Sequence, residues 1–89
     1  MTERVIVAPV TIDFENCKVH IIEVRPYITI RNRKRYIVSL QLECMGYKSD
    51  RFTLDVENNE ELKEQLKVEI AKMKIFILSG KTEFFWKAR

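Results

Sequence analysis

Apolar and polar residues alternate through the first half of this chain, and the period then lengthens from two to between three and four. Val10, Ile12 and Phe14 alternate with Thr11, Asp13 and Glu15, at the end of a β-branched run from Val5 to Phe14. Pro9 has no N–H, which predicts that this first strand lies at a sheet edge or is broken by a bulge. Glu15-Asn16-Cys17-Lys18 reads as a turn. From Val19 to Arg31, Ile22, Val24, Pro26, Ile28 and Ile30 form an apolar set, opposite Glu23, Arg25, Tyr27, Thr29 and Arg31. Tyr36, Val38, Leu40, Leu42 and Cys44 repeat the pattern in a third strand, and Phe52, Leu54 and Val56 do so in a shorter fourth.

Four such strands share one buried face only if even positions pair with even positions. Ile30 opposite Tyr36 meets that condition, makes Asn32-Arg33-Lys34 the loop, and places Arg31 opposite Arg35.

A helix follows. Asn58 or Asn59 is a suitable N-cap, and Glu60, Glu61 and Glu64 complement the positive end of the dipole. The helix is expected from about 59 to 79, with Gly80 as the left-handed residue beyond its end. At about 100° per residue, Leu62, Leu66, Ile70, Met73 and Ile77 form a stripe roughly 80° wide that should pack on the sheet. Val68, Ala71, Ile75 and Leu78 form a second stripe on nearly the opposite side. One sheet face cannot bury both, so another segment or another protein must cover the second. Phe84, Phe85 and Trp86 make the tail aromatic, either a short fifth strand or an anchor that wraps back.

The predicted architecture is one α+β domain: a four-stranded antiparallel meander over about 5–56, one long helix packed on one face, and an aromatic tail over 81–89. With 46% hydrophobic and 33% charged residues, the composition belongs to a packed domain and not to a disordered chain. No run of residues is long and apolar enough to span a bilayer, and the start lacks a signal-peptide pattern, so a soluble, cytoplasmic protein with no membrane partner is expected. Abundant Lys, Glu, Ile and Val with little Gln is a heat-adapted bias. Cys17 and Cys44 are expected as free thiols, although an intracellular disulfide gains plausibility in a hyperthermophile. Together with His20 they supply too few ligands for a closed zinc site. No metal and no cofactor is expected.

Catalytic signatures are missing as well. Gly46 and Gly80 stand too far apart for a phosphate-binding loop, and no nucleophile motif accompanies His20. The expectation is a non-catalytic binding module. Five basic residues and no acid lie between Arg25 and Arg35, whereas six acids lie between Asp55 and Glu69, so the chain is electrically polarised. Arg31, Arg33, Lys34 and Arg35 at a hairpin tip suit phosphate, and the facing pair Arg31 and Arg35 would be relieved by an anion. Arg25, Tyr27 and Arg51 on the outward sheet face add cations and a ring on which a base can stack, while Glu23, Glu43 and Asp55 dilute that face. Nucleic acid, whether single-stranded DNA, duplex DNA or RNA, is thus the first expected partner. The alternative is a protein-interaction subunit that dimerises, or docks on a larger enzyme, through Val68, Ala71, Ile75, Leu78, Phe84, Phe85 and Trp86.

The order of a four-stranded meander and one long helix resembles the single-stranded-DNA-binding transcriptional coactivator domain. That likeness implies pairing through the helix and binding on the sheet; it is carried by the order of elements and by no residue motif.

Overall fold

A computed structural model describes residues 8–87; Val5 to Val7 of the expected first strand lie outside the described residues. Among the described residues six strands form one sheet: β1 Val10–Phe14, β2 Cys17–Ile28, β3 Lys34–Cys44, β4 Tyr47–Lys48, β5 Phe52–Val56 and β6 Trp86–Lys87. Every pairing is antiparallel. The order across the sheet is β1-β2-β3-β4-β6, with β5 also paired to β3. β5 is the expected fourth strand, and β4, a further short strand outside that expectation, lies along the same side of β3. Between them Ser49 bonds Leu42 through both its backbone N–H and its hydroxyl, and the register slips by one before Phe52 meets Leu40. The tail is the short fifth strand of the prediction, since β6 pairs with β4.

The turns explain why the meander is tight. Glu15 and Asn16 both have positive φ in a two-residue connection between Phe14 and Cys17, and Met45 and Gly46 do the same between Cys44 and Tyr47. Two left-handed residues match the twist of the flanking strands. β1 begins just after Pro9, at the sheet edge. Pro26 sits where β2, having run past its pairing with β1, forms the edge of the described sheet.

β2 departs from the expected pattern. A bulge at Ile22 separates the pair Ile21–Leu40 from the pair Glu23–Ser39. Before the bulge the odd residues Cys17, Val19 and Ile21 are buried; after it only Val24 packs on the core, while Ile28 and Ile30 are exposed. A single inserted residue exchanges the two faces of a strand. The even-numbered face expected for β2 is therefore correct only beyond Ile22, and there the sheet outruns its helix.

The hairpin register also differs from the expectation. Ile28 pairs with Lys34 and Tyr27 with Arg35, four residues away from the pairing of Ile30 with Tyr36. The loop is Ile30-Arg31-Asn32, closed by Asn32 N–H to the Thr29 carbonyl (2.9 Å), Thr29 N–H to the Arg33 carbonyl (2.9 Å) and Arg33 N–H to the Thr29 hydroxyl (3.1 Å). Asn32 has φ 64°. A three-residue hairpin loop needs a left-handed residue at its third position, and asparagine tolerates that conformation better than the arginine beside it. Turn chemistry decided the register, and Arg31 does not face Arg35.

Helix α1, Asn59–Leu78, starts where expected. The Asn58 side chain accepts from Glu61 N–H at 2.9 Å, and Glu61 Oε1 accepts from Glu57 N–H at 2.7 Å, a variant of the capping box. Gly80, with φ 80°, follows the last turn, where Lys81 N–H reaches back to the Phe76 carbonyl. Leu62, Leu66, Ile70 and Met73 are buried against Val19, Ile21, Val38, Leu40, Leu42, Leu54 and Val56, with Ile77 at the margin. No helix of the described residues is long and apolar enough to cross a membrane.

Cys17 and Cys44 are joined as a disulfide, not free. The pairing of Lys18 with Glu43 puts the next two residues opposite each other, with Cα atoms 4.6 Å apart. A sequence separation of 27 conceals this contact; the register creates it.

Candidate functional site

The sheet's outer face carries the basic residues, but it carries their partners too. Arg35 Nε donates to Asp55 Oδ1 at 2.8 Å and its Nη2 donates to the Asp55 carbonyl at 3.3 Å. Glu57 and Glu61 lie 3.8 and 3.6 Å from the same guanidinium, which is only 26% exposed. Arg33 donates to Glu57, and Arg25 pairs with Glu23 at 3.2 Å. The Tyr27 hydroxyl donates to Asp55 Oδ2 at 2.5 Å. Tyr27 and Asp55 stand on β2 and β5, the two neighbours of β3, so they flank Arg35 and Ile37 between them.

These contacts shift the groups in the sense each partner demands. The bond from Tyr27, and then the one from Arg35, hold the Asp55 carboxyl below its ordinary value. Asp55 in turn pushes the Tyr27 phenol up and makes the Arg35 guanidinium harder to deprotonate. Arg33 lowers Glu57. A cation already bonded to a carboxylate must give up that bond before it can hold a phosphate.

Three of the expected nucleic-acid residues, Arg31, Lys34 and Arg51, form no ion pair among the described residues. Arg31 and Lys34 stay together at the hairpin tip, where Lys34 Nζ lies 5.9 Å from the Tyr36 ring centroid. Arg51 sits in the bulge between β4 and β5, six positions along β3 from the tip, roughly 20 Å away at about 3.3 Å per residue. It belongs to no common surface with them. The tip also exposes Ile28 and Ile30, the latter fully.

On the other side of the molecule the second stripe of α1 is bare. Val68 is 54%, Ile75 60% and Leu78 73% exposed, and Ala71 is exposed with them. The aromatic tail is divided. Phe85 is partly buried on the margin of the core, whereas Phe84 and Trp86 remain exposed. Phe84 and Phe85 lie 6.0 and 6.4 Å from the ring of Phe76, itself exposed. Trp86 donates its indole N–H to Asp50 Oδ1 at 2.8 Å. A groove of about 310 Å³ between Leu42, Phe52, Met73, Phe76, Phe84 and Phe85 continues this apolar surface.

Sequence reasoning missed Phe76, although its position is legible: it lies about 100° from Ile75, toward the tail. The clamping roles of Asp55, Glu57 and Glu61 depended on the register of β3 with β5 and had no local signal.

His20 bridges Thr11 Oγ1 and Glu43 Oε1, each at 2.9 Å, on the outer face. Among the described residues no three His, Cys, Asp or Glu side chains are grouped to hold a metal ion. An open hollow of about 650 Å³ lies at the β1–β2 and β3–β4 turns, lined by Asp13, Glu15, Lys18, Glu43 and Met45 among others. No protein-family model, no curated protein and no solved structure matches this chain.

Proposed function

We propose that this chain is a non-catalytic protein-interaction domain that engages another protein through the outer face of the C-terminal half of α1. The observation that carries this reading is the exposure of Val68, Ala71, Ile75 and Leu78 on a helix whose opposite face is already buried. A helix that is apolar on both sides is ordinarily covered on both sides. A contiguous apolar stripe of this kind marks an interface, whereas scattered single residues do not. The expected cytoplasmic setting belongs to this reading, and a disulfide there is at home in a heat-adapted protein.

A photo-crosslinking amino acid placed at Ile75 tests it in the organism's own cells, with one at Thr53 on the outer sheet face as the reference. Discrete adducts at Ile75 that are lost when Leu78→Asp is added support the reading. Equal adduct patterns from the two sites, or none from Ile75, would sink it.

Nucleic-acid binding is the second reading, favoured by Arg31 and Lys34, which form no ion pair among the described residues and stand beside exposed Ile28 and Ile30. Such a tip offers phosphate contacts and an apolar wedge. Titration of single-stranded DNA, duplex DNA and RNA across a salt series should then show a steep salt slope that flattens in Arg31→Ala/Lys34→Ala. Absence of binding at low salt removes this reading.

A further inference from the structure

The bare stripe of α1 has the spacing of a coiled-coil seam. Val68, Ala71, Ile75 and Leu78 follow one another at intervals of three, four and three residues, so Val68 and Ile75 occupy a positions and Ala71 and Leu78 occupy d positions. β-Branched residues at a and leucine at d suit a two-stranded contact, and Ala71 lets a second backbone approach closely. The seam is about 15 Å long, from ten steps of 1.5 Å. It is bounded by Glu64 on its N-terminal side and by Gly80 at its end.

The residues beside the seam decide what lies against it. Lys67 and Lys74 fall at g positions on one side and Lys72 at the e position on the other, with no acid at an e or g position between Lys67 and Leu78. Lys72 reaches Glu69 Oε2 at 3.4 Å, but both groups are partly exposed and such a contact exchanges readily for another carboxylate. Lys74 donates to the Glu15 carbonyl at 2.8 Å, which places its charge without neutralising it.

A second copy of this chain is a poor occupant. In a parallel pair Lys67 would face Lys72 of the other copy. An antiparallel pair centred between Ala71 and Ile75 would bring Lys72 against Lys72 on one side of the seam and Lys74 against Lys74 on the other, across the two-fold axis. Like charges at flanking positions disfavour both arrangements. A helix with apolar a and d positions and glutamate or aspartate at e and g meets the same seam with opposite charges.

We infer that the outer face of α1 docks an acidic amphipathic helix from a different protein, with Val68, Ala71, Ile75 and Leu78 as the apolar seam and Lys67, Lys72 and Lys74 as the charges that select it. This rests on the protein-interaction reading and specifies its partner.

The probe is a pair of labelled three-heptad peptides with Ile at a and Leu at d, one carrying Glu and the other Lys at every e and g position. Each is titrated into the intact protein by fluorescence anisotropy. The Glu peptide should bind in the micromolar range, at least about tenfold more tightly than the Lys peptide, and the preference should shrink as salt rises. Lys67→Glu/Lys72→Glu should reverse the preference, and Ile75→Asp should abolish binding while its melting curve stays that of the wild type. Equal affinity for both peptides, no binding of either, or a preference unmoved by the charge reversal overturns the inference. So does sedimentation equilibrium showing a dimer in the same concentration range. Adducts at Ile75 in cells without a preference for the Glu peptide would discard the acidic helix alone; no adducts would discard the interaction reading beneath it.

Discussion

Tyr27 donates its phenolic hydrogen to Asp55 Oδ2 over 2.5 Å, joining two strands that lie on either side of β3. Because Asp55 also receives Arg35, one carboxylate organises the outer face of the sheet.

This arrangement makes the stability of the outer face dependent on pH in a defined direction. The folded-state value of Asp55 is depressed below 3.8, and that of Glu57 below 4.5. Their contribution is thus present above the ordinary carboxylate range and is lost as pH falls through the lowered folded values. Tyr27 is raised above 10.0, so its share is complete at neutral pH and is lost only as pH rises through the raised value. Melting temperatures of wild type and Asp55→Asn should differ by a constant amount near neutrality, and the gap should close as pH falls through the lowered folded value of Asp55. A gap that persists undiminished in acid would contradict the assignment.

The disulfide closes a loop of 27 residues between strands that are already paired. Loop-closure entropy for that length is worth about 3 to 4 kcal/mol, so reductant should lower the denaturation midpoint by a corresponding amount. The direct check is a thiol assay on the denatured, unreduced protein. It should find no free thiol; two reactive thiols per chain would show that the bond is absent.

Asn32 holds the left-handed position that sets the hairpin register. Asn32→Gly should leave stability within a few tenths of a kcal/mol, because glycine adopts that conformation without steric cost. Asn32→Val should cost about 1 to 2 kcal/mol, because a β-branched residue with positive φ is strained. Urea titrations of the two variants measure the difference, and equal losses would show that the turn is not built on Asn32.

The two faces of α1 should respond unequally to truncation. Ile70 is buried to within 2% and Ile75 is 60% exposed. Ile70→Ala should cost about 2 to 5 kcal/mol, whereas Ile75→Ala should fall within about 0.5 kcal/mol of wild type. A large loss at Ile75 would mean that the stripe belongs to this chain's own core and would remove the surface on which the proposed docking depends.

The extent of α1, its cap at Asn58, its buried stripe and the glycine beyond it were all legible in the sequence. So was the alternation of β3. Each depends on residues within a turn or two of one another, where propensity, capping and periodicity act directly. The paired apolar stripes were legible for the same reason, since helical geometry fixes their angle.

The basic cluster was legible only as composition. Whether Arg33 and Arg35 were free or clamped depended on which residues of β2, β3 and β5 lay opposite one another. That register rests on one left-handed asparagine and one bulge at Ile22, and each shifts every downstream pair by whole residues. The same register made Cys17 and Cys44 neighbours and set Asp55 and Glu57 beside the arginines. Local chemistry determined the elements, and tertiary pairing decided which charges were left unpaired, because a contact across a sheet depends on the accumulated offset of every turn and bulge before it.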